Sequence, residues 1–148
     1  MTETFDRAKL RAELERDEGR RSKPYRDTAG LLTIGVGWNL DANGLPAACI
    51  DHLLDRGIDD ASAALDVIEH RWRELDADRQ RVLLNMAFNL GAQRLARFTR
   101  LLDAIGDYLD GQGAEALDRA AAEMQASAWF SQVGERGKRL VARMRHSA

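Results

Sequence analysis

Asp17-Glu18-Gly19, then Asp27-Thr28 nine residues beyond the glutamate, then Thr33-Ile34-Gly35-Val36-Gly37 make up the stretch on which the fold turns. Upstream of it, Phe5, Ala8, Leu10, Ala12 and Leu14 lie among charged residues in an imperfect helical pattern. The pattern predicts a helix to about Glu18, with Gly19 as a left-handed stop. Downstream the period changes. Thr28-Ala29-Gly30 reads as a turn, and Leu32, Ile34 and Val36 alternate with Thr33, Gly35 and Gly37. This predicts a hairpin whose return strand has one apolar face and one nearly bare face, with Thr33 on the bare side. One carboxyl then ends a helix, and a second sits on a hairpin a short loop away.

Two carboxyls so placed are the raw material for cleaving a glycosidic bond. Inversion needs a protonated acid at the leaving oxygen and an ionised carboxylate that activates water on the other face, roughly 6.5 to 9.5 Å away. A glutamate partly buried at a helix end keeps its proton more readily than an aspartate at the open end of a hairpin. Environment thus assigns the acid to Glu18 and water activation to Asp27, with the Thr33 hydroxyl orienting the water. Taken singly, a solvated Glu, a turn Asp and a strand Thr are the ordinary fate of such residues, and only the joint pattern raises the catalytic reading.

The remainder reads as helices. Asp41-Ala42-Asn43-Gly44 is a turn, and Pro46 opens a helix that reaches about Arg56 before Gly57 stops it. Another starts at Asp59 or Asp60 and carries Ala64, Leu65, Ile68 and Trp72. After a polar break at Asp76, a helix over residues 81–90 has apolar side chains around most of its circumference and should be central. Segments 95–109, 114–125 and 136–145 complete the set. The expected fold is α+β and mostly helical, a single domain with a small hairpin lobe (about residues 15–58) and a larger all-helical lobe (about 59–148 plus the N-terminal helix) flanking a cleft.

Bulk properties narrow the function classes. A chain of 148 residues with net charge -2 suits one domain and lacks the basic field of a dedicated nucleic-acid binder. Cys49 is the sole cysteine, so neither an intramolecular disulfide nor a multi-thiolate metal site can form; beside Ile50 it reads as a small core residue. His52, His70 and His146 lack metal-ligand spacing and read as surface residues, so neither metal nor other cofactor is expected. No apolar run near the N-terminus is long enough for a signal peptide or a membrane span, which points to synthesis in a reducing cytoplasm. Leu140, Val141 and Met144 form an apolar stripe on a basic tail, read as a last helix docked by that stripe. Trp72 and Trp129 read as core.

Asp17-Glu18-Gly19, Tyr25-Arg26-Asp27-Thr28, Gly30 and Thr33-Ile34-Gly35-Val36-Gly37 together resemble the active-site segment of phage-type lysozymes of the T4 lysozyme family. Asn85-Met86-Ala87-Phe88-Asn89-Leu90-Gly91, Phe98-Thr99, Trp129-Phe130 and Arg136-Gly137-Lys138-Arg139 continue the resemblance in order and at compatible spacing. It implies a glycoside hydrolase, an N-acetylmuramidase that cuts the β-1,4 bond between N-acetylmuramic acid and N-acetylglucosamine in peptidoglycan, with inversion and without a metal. By motif position Glu18 is the acid, Asp27 activates water, Thr33 holds that water and Arg136 pairs with the glutamate. Phe88 and Asn89 fall where the family lines its cleft, although Asn89 replaces a longer glutamine and Phe88 reads equally well as core. Trp38 departs from the family's histidine and is either a platform for a sugar ring or a cover for the small lobe. The resemblance points to a phage or prophage endolysin acting on the wall from the periplasm. With no secretory or anchoring segment read in the sequence, a separately encoded membrane pore is expected for its release. With no attached wall-binding module a Gram-negative host is expected, and a monomer is the default expectation. The alternatives are an inactive wall-binding or virion structural protein of the same fold, and a glycosidase for chitin-like or chitosan-like polymers.

Overall fold

The computed structural model describes residues 4–146. Helix α1 (Arg7–Glu18) begins where the Asp6 carboxylate accepts the Lys9 N–H at 3.1 Å. It ends where Gly19, at φ 81, donates its N–H to the Glu15 carbonyl. Strands β1 (Arg21–Arg26), β2 (Leu32–Gly35) and β3 (Trp38–Asn39) follow as an antiparallel sheet in that order. Tyr25 pairs with Thr33, and Ile34 with Trp38. The third strand was not expected. It exists because the chain turns at Val36-Gly37, so Gly37 belongs to a turn and not to the alternation of β2.

Helix α2 (Leu40–Asn43) is capped by the Asn39 side chain, which accepts the Ala42 N–H at 2.9 Å. Helix α3 (Ala47–Ile68) then runs straight through Gly57, where a stop was expected. A glycine ends a helix by adopting positive φ, and Gly57 does not do so. Cys49 lies on the early turns of α3 and is exposed, contrary to the expected core position, because α3 buries only Ala61 and Leu65.

The chain divides into two compact units, Met1–Leu53 and Leu54–Ala148, with the division inside α3 and α1 in the first unit. Among the described residues of the first unit only Thr33 is buried.

The second unit holds the core. After a 3₁₀ turn at Trp72–Glu74 come α4 (Ala77–Leu90), α5 (Ala92–Leu95), α6 (Thr99–Leu109), α7 (Glu115–Gln125), α8 (Ala128–Val133) and α9 (Glu135–Met144). Asp76 starts α4 by accepting the Asp78 and Arg79 N–H groups, each at 3.1 Å. Helix α4 supplies Val82, Leu83, Met86, Ala87 and Leu90 to the core. The helix expected over 95–109 is two pieces. Leu95 closes α5, and Phe98 accepts the Leu102 N–H to open α6. Helix α8 was not foreseen; the Ser127 hydroxyl caps it.

Helix α9 docks as expected through Leu140, Val141 and Met144, all buried. Burying each such side chain contributes about 1.5–3 kcal/mol. Arg79 on α4 fastens the end of α9, donating Nε to the Met144 carbonyl at 2.9 Å and Nη2 to that of Arg145. Trp72 and Trp129 are core residues as expected, and the three histidines are exposed.

Candidate active site

In the first unit the hairpin turn is organised by one carboxylate. Asp27 Oδ1 accepts the N–H groups of Ala29 and Leu31, both at 2.9 Å. The turn is closed further by Gly30 N–H to the Asp27 carbonyl at 2.9 Å and by Arg26 Nη1 to the Gly30 carbonyl at 3.0 Å. Asp27 Oδ2 makes no hydrogen bond among the described residues. Half-buried, the Asp27 side chain is fixed through one oxygen and offers the other as an acceptor.

Thr33 is placed differently from expectation. It does not stand on a bare face; it is 3% exposed, and its hydroxyl donates to the Leu31 carbonyl at 2.9 Å. The backbone of Leu31 therefore holds both Asp27 and Thr33. With its hydrogen committed, Thr33 Oγ1 has only lone pairs to offer. Beyond it, a Cβ added at Gly35 would meet nothing within 4 Å, so that side of β2 is open.

Glu18 is exposed at the end of α1, and the partial burial expected of it is absent. The side chain lies against Gly37, where an added Cβ would come 3.0 Å from Glu18 Oε2. Gly37 also has φ +67, a conformation that side-chain-bearing residues rarely adopt. Trp38 is 41% exposed, and its indole N–H donates to the Gly44 carbonyl at 2.8 Å. A tethered ring with an open surface is a suitable platform for a pyranose.

In the second unit Phe88 is 46% exposed, which takes it out of the core. It lines a groove of about 410 Å³ together with Leu54, Ile58, Leu84, Asn85 and Arg136. Asn89, also exposed, gives its Oδ1 to the Trp129 indole N–H at 3.0 Å, which leaves the amide nitrogen to donate to a ligand. Trp129 is itself held edge-on to Phe98, with ring centroids 6.4 Å apart.

The first unit thus gathers Glu18, Asp27, Thr33 and Trp38, and the second gathers Phe88, Asn89 and Arg136. Sequence reasoning missed Leu31, because its part is played entirely by backbone atoms. It also missed the use of Gly37 as space for the Glu18 carboxyl; the positive φ required after a short strand was the available signal.

Residues 15–146 match the phage lysozyme family. The probable T4-type lysozyme 2 of Dictyostelium discoideum is 26% identical over an alignment covering 89% of this chain and 91% of that protein. The pre-baseplate central spike protein Gp5 of Enterobacteria phage T4 is 27% identical over 86% of this chain but only 26% of its own length. With nearly its whole length matched, and Glu18, Asp27 and Thr33 inside the matched span, this chain belongs to the phage lysozyme family.

Proposed function

We propose that this protein is an inverting N-acetylmuramidase that hydrolyses the β-1,4 bond between N-acetylmuramic acid and N-acetylglucosamine in peptidoglycan. The observation that carries the reading is the Asp27 carboxylate, fixed through Oδ1 by two backbone N–H groups, with Oδ2 unengaged and Thr33 tied to the same Leu31 backbone. In the proposed reaction Glu18 gives its proton to the leaving oxygen as the glycosidic bond breaks. Water attacks the anomeric carbon from the opposite face, passing one hydrogen to Asp27 Oδ2 while the other is held by Thr33 Oγ1. The product is a muramic acid reducing end of inverted configuration. Trp38, Phe88 and Asn89 are assigned to the glycan, and Arg136 to pairing with the Glu18 carboxylate.

The reading extends to host lysis by a monomer that reaches the wall through a separately encoded pore. No helix among the described residues is long and apolar enough to cross a membrane. The likeness to a phage spike protein favours a second setting, in which the same hydrolase domain works from a virion.

Clearing of permeabilised Gram-negative cells, with soluble muropeptides analysed for new reducing ends, tests the chemistry. The parent should release muramic acid ends, and Glu18→Gln and Asp27→Asn should not. A folded parent that releases none sinks the muramidase reading and favours a binding protein. Full activity in Glu18→Gln would show that the acid lies elsewhere.

A further inference from the structure

Asp41, in the short helix α2, reaches back to the strand that carries Thr33: its Oδ2 accepts the Leu32 N–H at 2.7 Å. The bond lies just past the end of β3, whose last residue, Asn39, pairs with Thr33. There the carboxylate takes the place of a strand carbonyl. The turn that carries it is fastened at both ends, by the Asn39 side chain on the Ala42 N–H at 2.9 Å and by the Trp38 indole on the Gly44 carbonyl at 2.8 Å.

The Leu32 N–H and the Leu31 carbonyl belong to one peptide unit, which is planar and directs the two groups to opposite sides. Its carbonyl end receives the Thr33 hydroxyl at 2.9 Å and the Asp27 N–H at 3.0 Å. Its nitrogen end is held by Asp41. A planar unit gripped at the nitrogen is steadied at the oxygen, and the Thr33 proton follows that oxygen.

We infer that Asp41 is a positioning residue, which fixes the Leu31–Leu32 peptide and through it the direction in which Thr33 Oγ1 presents its lone pairs. The inference rests on the reading of Thr33 as the group that holds the reacting water. A hydrogen bond to a carboxylate is stronger than one to a neutral carbonyl. It also polarises the peptide it grips, which makes the Leu31 carbonyl the better acceptor for the Thr33 proton.

Asp41→Ala and Asp41→Asn, each alone and combined with Thr33→Val in the full chain, test this once circular dichroism has shown the variants folded. Amide exchange followed by NMR reads the grip. The Leu32 N–H should be protected in the parent and in Asp41→Asn, whose amide oxygen still accepts, and should lose protection in Asp41→Ala. Reducing-end release reads the role. A peptide freed to rock misaims Thr33 by less than the ~1 Å that costs about 10² in rate, so kcat should fall about tenfold in Asp41→Ala with KM little changed. Asp41→Asn should restore most of that loss. With Thr33→Val in place, Asp41→Ala should lower kcat no further. A Leu32 amide equally protected in Asp41→Ala overturns the proposal, and so does an equal fall in kcat with and without the Thr33 hydroxyl. A folded parent that releases no reducing ends overturns the muramidase reading instead, and the Leu32 amide still decides whether Asp41 holds the peptide.

Discussion

Asp27 and Thr33 are joined through the backbone of a single residue: Leu31 N–H donates to Asp27 Oδ1 and the Leu31 carbonyl accepts from Thr33 Oγ1, both at 2.9 Å. Thr33→Val keeps the shape but removes the hydroxyl, so kcat should fall by about 10² or more, as for loss of a group that handles the reacting water. Stability should fall by about 1 kcal/mol for the lost hydrogen bond. Thr33→Ser should retain most of both. Steady-state release of reducing ends and urea denaturation separate the effects; a fully active valine variant would remove Thr33 from the chemistry.

Gly37→Ala introduces a Cβ 3.0 Å from Glu18 Oε2 at a residue with φ +67. The backbone penalty is about 1–3 kcal/mol, and the flexible glutamate must swing aside. A carboxyl displaced by about 1 Å costs on the order of 10² in rate. The expected signature is a fall in kcat much larger than any change in KM, measured on a variant shown to be folded by circular dichroism.

The ring of Phe88 fills the space that a Cβ on Gly57 would occupy, its Cε2 lying too close for both. By helix propensity alone Gly57→Ala would stabilise α3 by about 1 kcal/mol. With Phe88 in place that gain should vanish or reverse; in a Phe88→Ala background it should reappear. A double-mutant cycle by chemical denaturation gives the coupling, and additive effects would show that the ring yields without cost.

Acid should loosen the helical unit. A hydrogen bond from Arg143 holds the Asp78 carboxyl below its ordinary value, helped by the charges of Arg143 and Arg81. For Asp76, burial works upward but is outweighed by hydrogen bonds from the Arg79 side chain and from the N–H groups of Arg79 and Asp78. Groups depressed on folding contribute stability above the unfolded aspartate value of about 3.9 and lose it as pH falls through their lower folded values. The urea midpoint should therefore drop from about pH 5 downward, and Asp78→Asn should flatten that limb. An unchanged acid limb in Asp78→Asn would show that the Arg143 pair has little part in it.

What could be read from the residues was what neighbours in the chain decide. Glu18 and Gly19 end a helix through bonds within one turn, and Thr28 to Gly30 turn because Asp27 folds back on its own backbone. The apolar stripe of α9 likewise needed only its period. Gly57 was misread because its reason lies with Phe88, far along the chain, and glycine as a stop looks the same as glycine making room. The depth of Thr33 and the exposure of Cys49 depend on what packs over each face, which alternation and helical period do not specify.

The acceptor-only character of Asp27 Oδ2 and Thr33 Oγ1 acts as a filter on the nucleophile. In the proposed reaction, a molecule held by both must bring two hydrogens and still have a lone pair for the anomeric carbon. Water meets that demand; an alcohol, with one hydrogen, leaves an acceptor unpaired. The Leu31 backbone that commits the Thr33 hydrogen thus disfavours transfer of the cleaved glycan to another sugar's hydroxyl, even inside a wall crowded with them.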